Sequence, residues 1–383
     1  MDNDLIFSRL ELKNWKNFAY VDVAIQNRLF LVGPNASGKS NFLDVFRFLR
    51  DLASSGGGFQ EAIRKREGVS AIRCLAARRY PDVEINVELR DAVKCSRWTY
   101  QIAFNQDKQR RPLVRREQVT YSDDIILKRP DNEDNNDPAR LTQTYLEQVN
   151  VNKRFRELVG FFSSVRYLHI VPQLIREPDR SIGRPNDPFG GDFLEQIAKL
   201  PDRTKNARLQ RIKEALRVAV PQLEEIASWR DEQGKPHLRG KYQHWRPQGA
   251  WQTEEQFSDG TLRLIGLLWA ALEGGGPLLL EEPELSLHPE IVRILPQMFA
   301  RVQRQKGRQI FISTHSSDLL RDEGIGPDEV LLFMPETEGT SVVPAASQRD
   351  IKLLLEGGVP LAEALIPKTK PENVEQLNLF GDK

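Results

Sequence analysis

Apolar and polar residues alternate through "LIFSRLELKNW" and "FAYVDVAI", and an almost unbroken apolar run, "RLFLV", follows at residues 28–32. A period of two marks a strand with one face in a core, and a continuous apolar run marks a strand buried on both faces. The pattern changes at "GPNASGKS", residues 33–40. After it, Phe42, Val45, Phe46 and Leu49 recur at helical spacing and predict an amphipathic helix. Alternation returns in "VEINVEL", "SRWTYQIAF" and "LVRREQVTYS", which predicts more strands. "PDNEDNNDP", residues 130–138, has no apolar residue to bury and is expected to be a solvated loop. Helical stretches are expected around 139–164 and 191–218, then a hairpin across "EEIASWRDEQGKPHLRGKYQHWR" with its turn near Gly234, Lys235 and Pro236.

The last third is more regular. From Ser258 onward, Leu262, Ile265, Trp269 and Leu272 share one helical face. "PLLLEEPE" reads as a buried strand ending in acids. "PEIVRILPQMFARVQRQKG" reads as a helix that opens on Pro289, bends at Pro296 and stops at Gly307. "QIFISTHSS" is a second buried strand ending in polar residues. Strand, helix, strand, with polar groups at the carboxyl ends, predicts a parallel α/β sheet carrying a ligand site.

Bulk properties narrow the classes. At 383 residues the chain has room for one large domain or two ordinary ones. A net charge of +1 gives no overall attraction to nucleic acid or membrane, so any basic surface is local. Cys74 and Cys95 are the two cysteines and form no zinc-spaced cluster with histidine. The opening "MDNDLIF" lacks the order of a signal peptide. "LIGLLWAAL" is about half of the ~20 apolar residues a membrane helix needs. A cytoplasmic protein without a membrane partner is expected.

Gly33, Pro34, Asn35, Ala36, Ser37, Gly38, Lys39 and Ser40 fit G-x-x-x-x-G-K-[ST] between an apolar strand and an amphipathic helix, with Asn41 next in line. Glycines let successive N–H groups close on phosphate oxygens, and the helix N-terminus adds its positive dipole end. Lys39 supplies charge to the β- and γ-phosphates and Ser40 a hydroxyl for magnesium. Chance matching needs a glycine turn in this strand–loop–helix setting, so a nucleotide is expected. Glu281 and Glu282 leave a buried strand where one can serve a magnesium shell and the other polarise water; alone they could be a charged turn. His315 ends the next strand, either as a structural histidine or as a donor to a γ-phosphate. "FSDGT" reads alone as a helix N-cap.

The order "GPNASGKSN", "FSDGT", "LLLEEPELSLHP", "FISTHSS" resembles the ABC-type ATPases of the SMC, RecF and OLD (overcoming lysogenisation defect) group, and "LELKNWKNFAYVDVAI" resembles their opening strands. The resemblance covers about residues 1–100 and 250–345 and is weak over 105–250. It implies ATP and Mg2+ as ligands, sandwiched between two heads. The phosphate loop of one head holds the nucleotide, and a signature turn of the other, here Ser258, Asp259, Gly260 and Thr261, closes on it. Glu282 then matches the catalytic glutamate, His315 the switch histidine, and "ELSLHP" the loop that touches the partner head. Glu281 stands where the group has aspartate; the extra methylene moves the carboxylate outward by about a bond length. Gln173 is the candidate for the γ-phosphate-sensing glutamine that joins Ser40 and Glu281 at the magnesium, with a plain loop glutamine as the other reading.

The implied architecture is an α/β P-loop NTPase: an ABC-type head with a β-rich N-terminal lobe and an inserted α/β lobe. Residues 1–104 and 251–345 would form the head, 105–250 a helical and hairpin insert, and 346–383 a closing helix and tail. The insert is too short for the long coiled coil of SMC proteins and longer than a transporter subunit needs. Basic residues gather in it: Lys108, Arg110, Arg111, Arg115 and Arg116; Arg203, Lys205, Arg208, Arg211 and Lys213; Arg239, Lys241 and Arg246. They read either as a track for DNA or as a solvated charged face. The implied function is an ATP-hydrolysing homodimer, or a higher oligomer, that controls anti-phage defence or DNA repair; the alternative is a slow, nucleotide-gated scaffold for a partner protein. "DIKLLLEGGVPLAEALI" is expected to finish the ATPase, and "KTKPENVEQLNLFGDK" to be a solvated tail. With no D-x-D pair after His315, nuclease activity is expected to reside in a separately encoded effector.

Overall fold

The computed structural model describes residues 5–77, 81–91, 96–177, 187–244 and 250–370; Cys95, Arg246 and most of the expected tail lie outside the described residues. The chain forms two compact units: one of 1–166, 275–279 and 303–383, the other of 167–274 and 280–302. Its strands are β1 (Leu5–Trp15), β2 (Phe18–Ala24), β3 (Arg28–Val32), β4 (Val83–Asp91), β5 (Arg97–Gln106), β6 (Pro112–Tyr121), β7 (Asp124–Arg129) and β8 (Arg166–Leu168). There follow β9 (Leu223–Arg230), β10 (Pro236–Tyr242), β11 (Ala250–Thr253), β12 (Leu278–Glu281), β13 (Ile310–Thr314), β14 (Val330–Glu336) and β15 (Gly339–Pro344).

The first unit is built on two sheets. One is antiparallel, in the order β2-β1-β4-β5-β6-β7. The alternation read from the sequence is present in β4, where every second residue from Val83 to Asp91 is buried. The other sheet has the order β15-β14-β3-β13-β12-β8, with β3 parallel to both β13 and β14. All five residues of β3 and all five of β13 are buried, as their apolar runs predict. β8 and β12 are the strands along which the chain passes into the second unit.

The helix after the phosphate loop, Lys39–Ala53, buries Phe42, Val45, Phe46 and Leu49 completely. Phe42 meets Phe333 of β14 at 5.5 Å between ring centres, and Phe46 meets Phe311 of β13 at 4.9 Å and Phe7 of β1 at 4.7 Å. Edge-on and tilted aromatic contacts each add about 0.5–1.5 kcal/mol beyond burial. The helix start is thereby fixed against the carboxyl ends of the parallel strands.

Residues 130–138 are not the plain solvated loop that their composition suggests. Asp131 caps a short helix, Asn132–Asn136, and Asp134 is fully buried, paired with Arg129 at 2.7 Å. Arg129 also reaches Glu117 at 3.1 Å and lies 4.0 Å over the Tyr145 ring. Burial pushes the Glu117 carboxyl up, while the Tyr145 N–H and Arg129 oppose that push. A polar stretch can hide an acid if its counter-ion comes from elsewhere, and here Arg129 comes from the end of β7. The stretch 139–164 likewise contains only one α-helix, Arg156–Ser163, after two short 3-10 turns.

In the second unit, helices Phe193–Lys199 and Asp202–Ala219 are separated at Pro201. The expected hairpin is present as β9 and β10, with Pro236 paired to Arg230, and β11 adds a third strand on β10. The helix Asp259–Leu272 buries Leu262, Ile265 and Trp269. The helix Pro289–Lys306 opens on its proline, runs continuously through Pro296, and ends before Gly307.

Candidate functional site

The phosphate loop lies wholly in the first unit. Gly38, at φ 97°, is the left-handed residue that starts the helix; a Cβ there would sit 2.2 Å from Asn17 Nδ2, so both conformation and space demand glycine. Asn17 holds the loop by three bonds. Its Nδ2 donates to Ser37 O (3.0 Å) and Thr340 Oγ1 (2.8 Å), and its Oδ1 accepts from Asn41 Nδ2 (2.8 Å). Trp15 Nε1 adds a bond to Asn41 O at 2.9 Å. Sequence reading missed Asn17, because its partners are 20 to 323 residues away and no local pattern marks it.

Lys39 is buried in the loop, its ammonium donating to Gly33 O at 2.9 Å and Pro34 O at 3.0 Å. The helix it begins has no acid in its first turn, where a carboxylate would otherwise offset the dipole. An ammonium, a helix start without counter-charge and a loop of N–H groups are a donor set for a polyphosphate. Asn35, Ala36 and Ser40 are exposed, and Ala36 is left-handed at φ 60°. Thr314 of β13 is level with Val32 of β3, so His315 follows its strand at the same edge as Gly33, and its side chain is exposed. A Ser316-capped turn, Ser317–Leu320, comes next.

The second unit holds the acids and the signature turn. Ser258 is the N-cap of the helix Asp259–Leu272: its Oγ accepts from Thr261 N at 3.2 Å and lies 2.8 Å from Thr261 Oγ1. The cap reading of "SDGT" is therefore correct as geometry, and it leaves Ser258 exposed. Asp259 would repel an anion at this helix start, but Arg176 pairs with it at 2.6 Å, and Gln173 Nε2 lies 3.4 Å from its other oxygen. Gln173 thus sits beside the signature turn of its own chain. Gly260 packs on "ELSLHP": a Cβ there would be 2.6 Å from Ser286 O, so turn and loop form one packed piece.

Glu281 closes β12, and its carboxylate accepts a hydrogen bond from Tyr167. Glu282 follows in the left-handed region at φ 44°. Arg263, from the signature helix, reaches Glu282 O at 3.4 Å; burial pulls its guanidinium below the usual value, and Asp259, Glu284 and Glu282 pull the other way. Neither Tyr167 nor Arg263 carries a sequence signal, since each looks like an ordinary apolar-face or helix residue. Among the described residues no cluster of three or more His, Cys, Asp or Glu side chains is arranged to hold a metal by itself.

Several of the basic residues are engaged within their own unit. Arg111 pairs with Asp107 and Arg116 with Glu84, both at 2.7 Å. Lys205 pairs with Asp202 at 2.7 Å, and Arg208 lies 5.3 Å over Trp269. Arg239 is between Trp251 (4.5 Å) and Trp229 (5.9 Å), and Lys241 is 3.8 Å from Glu224. A phosphate backbone would have to compete for these charges. No helix among the described residues is long and apolar enough to cross a membrane.

The crystal structure of an Smc head bound to the C-winged helix domain of ScpA aligns with a TM-score of 0.55 at 13% identity, over 88% of this chain and 97% of that one. A Pyrococcus furiosus Smc head with an extended coiled coil, bound to the C-terminal domain of ScpA, gives 0.54 at 11% identity, over 92% and 100%. At such identity the likeness shows the fold alone, that of an Smc head. Endonuclease GajA of Bacillus cereus (strain VD045) is 38% identical over 56 residues, which is 15% of this chain and 10% of that protein. The family described as "AAA domain, putative AbiEii toxin, Type IV TA system" matches residues 29–322, well over half the sequence, and the chain belongs to that family.

Proposed function

We propose that the chain binds and hydrolyses ATP as a dimer closed around the nucleotide, or as a higher oligomer of such dimers, and that the cycle controls a DNA-related process such as anti-phage defence or repair. The build of the signature turn carries this reading. A 14-residue helix begins at an exposed Ser258, its own acid is neutralised by Arg176, and Gly260 is backed by Ser286. That is a second helix start suited to phosphate, and it needs no sequence proximity to Lys39. Lys39 neutralises the β- and γ-phosphates, Glu282 polarises the attacking water, and His315 donates to the γ-phosphate. Ser40 and Glu281 are the residues that would hold magnesium, which when bound supplies charge neutralisation on the phosphates. Gln173 is proposed as the glutamine that senses the γ-phosphate and joins these residues at the magnesium.

The effector is proposed to be a separate protein, a nuclease being the leading class. The Smc heads of similar fold are described with a ScpA domain bound, and the short match to an endonuclease supports a nucleic-acid setting. In the domain reading, the inserted lobe, residues 105–250, is the part open to such specialisation.

Ser258→Arg tests the sandwich. A guanidinium at an exposed cap should leave ATP binding intact in the single chain and lower hydrolysis about 100-fold, because the defect lies across the interface. Mixed with the Lys39→Ala protein, it should recover at most one working site per heterodimer. Loss of ATP binding by the isolated Ser258→Arg chain would place the turn in the same-chain pocket and sink the model.

A further inference from the structure

Glu281 is gripped at two points by the segment that begins with β8. Tyr167 Oη donates to Glu281 Oε2, and His169 Nδ1 lies 3.2 Å from Glu281 O. Tyr167 and His169 are two residues apart in an extended stretch, so they face the same way and reach the side chain and the backbone of one residue. Tyr167 is buried, with 8% of its surface exposed, and a buried phenol hydroxyl must find an acceptor. Here the acceptor is an acid half open to solvent at the end of β12.

A glutamate carboxylate is hard to aim. It hangs from three rotatable bonds, the last with a broad preference, so an untethered one samples many orientations. One bond to Oε2 fixes the rotation about that last torsion. The contact at Glu281 O in turn fixes the peptide leading into Glu282, whose left-handed φ of 44° has to be held by its surroundings.

We propose that Tyr167 is a positioning residue for the Glu281 carboxylate, aiming it at the magnesium of bound magnesium–ATP. The proposal rests on the reading of Glu281 as a magnesium-shell residue and adds the group that makes a long, flexible acid serve there. Tyr167 touches neither metal nor nucleotide; it acts by orienting Glu281.

The experiment is a magnesium titration of ATP binding, read by calorimetry, with ATP binding in EDTA as reference. Tyr167→Phe keeps the ring and its packing and removes only the hydroxyl. A hydrogen bond to a charged group corresponds to about a tenfold change in an equilibrium constant, so the half-saturating magnesium concentration should rise about tenfold. Binding in EDTA should not move, and the thermal midpoint should fall by only about 2–6 °C, the loss of one hydrogen bond. Glu281→Asp retracts the carboxylate by one methylene, out of reach of the hydroxyl. In that background Tyr167→Phe should change nothing further. An unchanged magnesium requirement in Tyr167→Phe overturns the proposal, as does an equal effect of that substitution in both backgrounds. If Tyr167→Phe loses its fold, Tyr167→Met, which fills the site with a flexible apolar side chain and also lacks the hydroxyl, takes its place with the same expected and overturning results. No ATP binding by the unaltered protein, with or without magnesium, would overturn the ATP reading itself and the proposal with it.

Discussion

Lys39→Ala is expected to abolish ATP binding at any practical concentration. The ammonium is the one side-chain cation of the loop and is already inside it, 2.9 Å from Gly33 O. Charge-assisted hydrogen bonds contribute about 1.5–3 kcal/mol each, and two of them to phosphate oxygens correspond to roughly a 10²–10⁴-fold loss of affinity. The substitution also removes donors from the carbonyls of Gly33 and Pro34, so an unfolding midpoint must accompany the binding measurement. With Phe42 and Phe46 anchoring the helix, the unit should stay folded and only the ligand should be lost. Near-normal binding of labelled ATP by a folded Lys39→Ala chain would remove the phosphate-loop assignment.

Glu282→Gln is expected to do the opposite: retain ATP and fail to turn it over. The amide has the shape of the acid and cannot accept the proton of an attacking water, a loss of about 10²–10⁴-fold in rate. The backbone at this position should tolerate the change, because φ 44° and the hydrogen bond that Arg263 donates to Glu282 O involve only main-chain atoms of Glu282. With hydrolysis blocked, the closed dimer should accumulate in ATP and appear by sedimentation as twice the mass of the single chain. A monomer under saturating ATP would refute the sandwich, and undiminished turnover would move the base elsewhere.

Where the chemistry is local in sequence, it was legible. The phosphate loop, the helix face of Phe42, Val45, Phe46 and Leu49, and the buried strands β3 and β13 follow from spacing alone, since each is a run of neighbours obeying one period. The turn at Ser258 was legible as a cap, because the cap residue and the apolar face of its helix are neighbours in sequence. Asn17, Tyr167 and Arg263 were not legible: each acts through bonds to residues 19 or more positions away, and a single polar residue has no period. The same limit explains residues 130–138. Composition announced a solvated loop, but Asp134 is buried because Arg129, the last residue of a strand, turns inward to meet it. Burial of a charge depends on its partner, and partners are chosen by the fold.

The placement of β3 has a consequence for amide hydrogen exchange. Its residues are wholly buried between β13 and β14, so their N–H groups open only with the unit as a whole, whereas Asn35 and Ala36, three and four residues beyond its end, face solvent. The slowest and some of the fastest exchanging amides of this unit therefore lie within one short peptide, separated near the Val32–Gly33 bond. That peptide carries its own internal clock: deuterium uptake at 33–41, read against the silent β3 amides beside it, reports loop occupancy independently of catalysis.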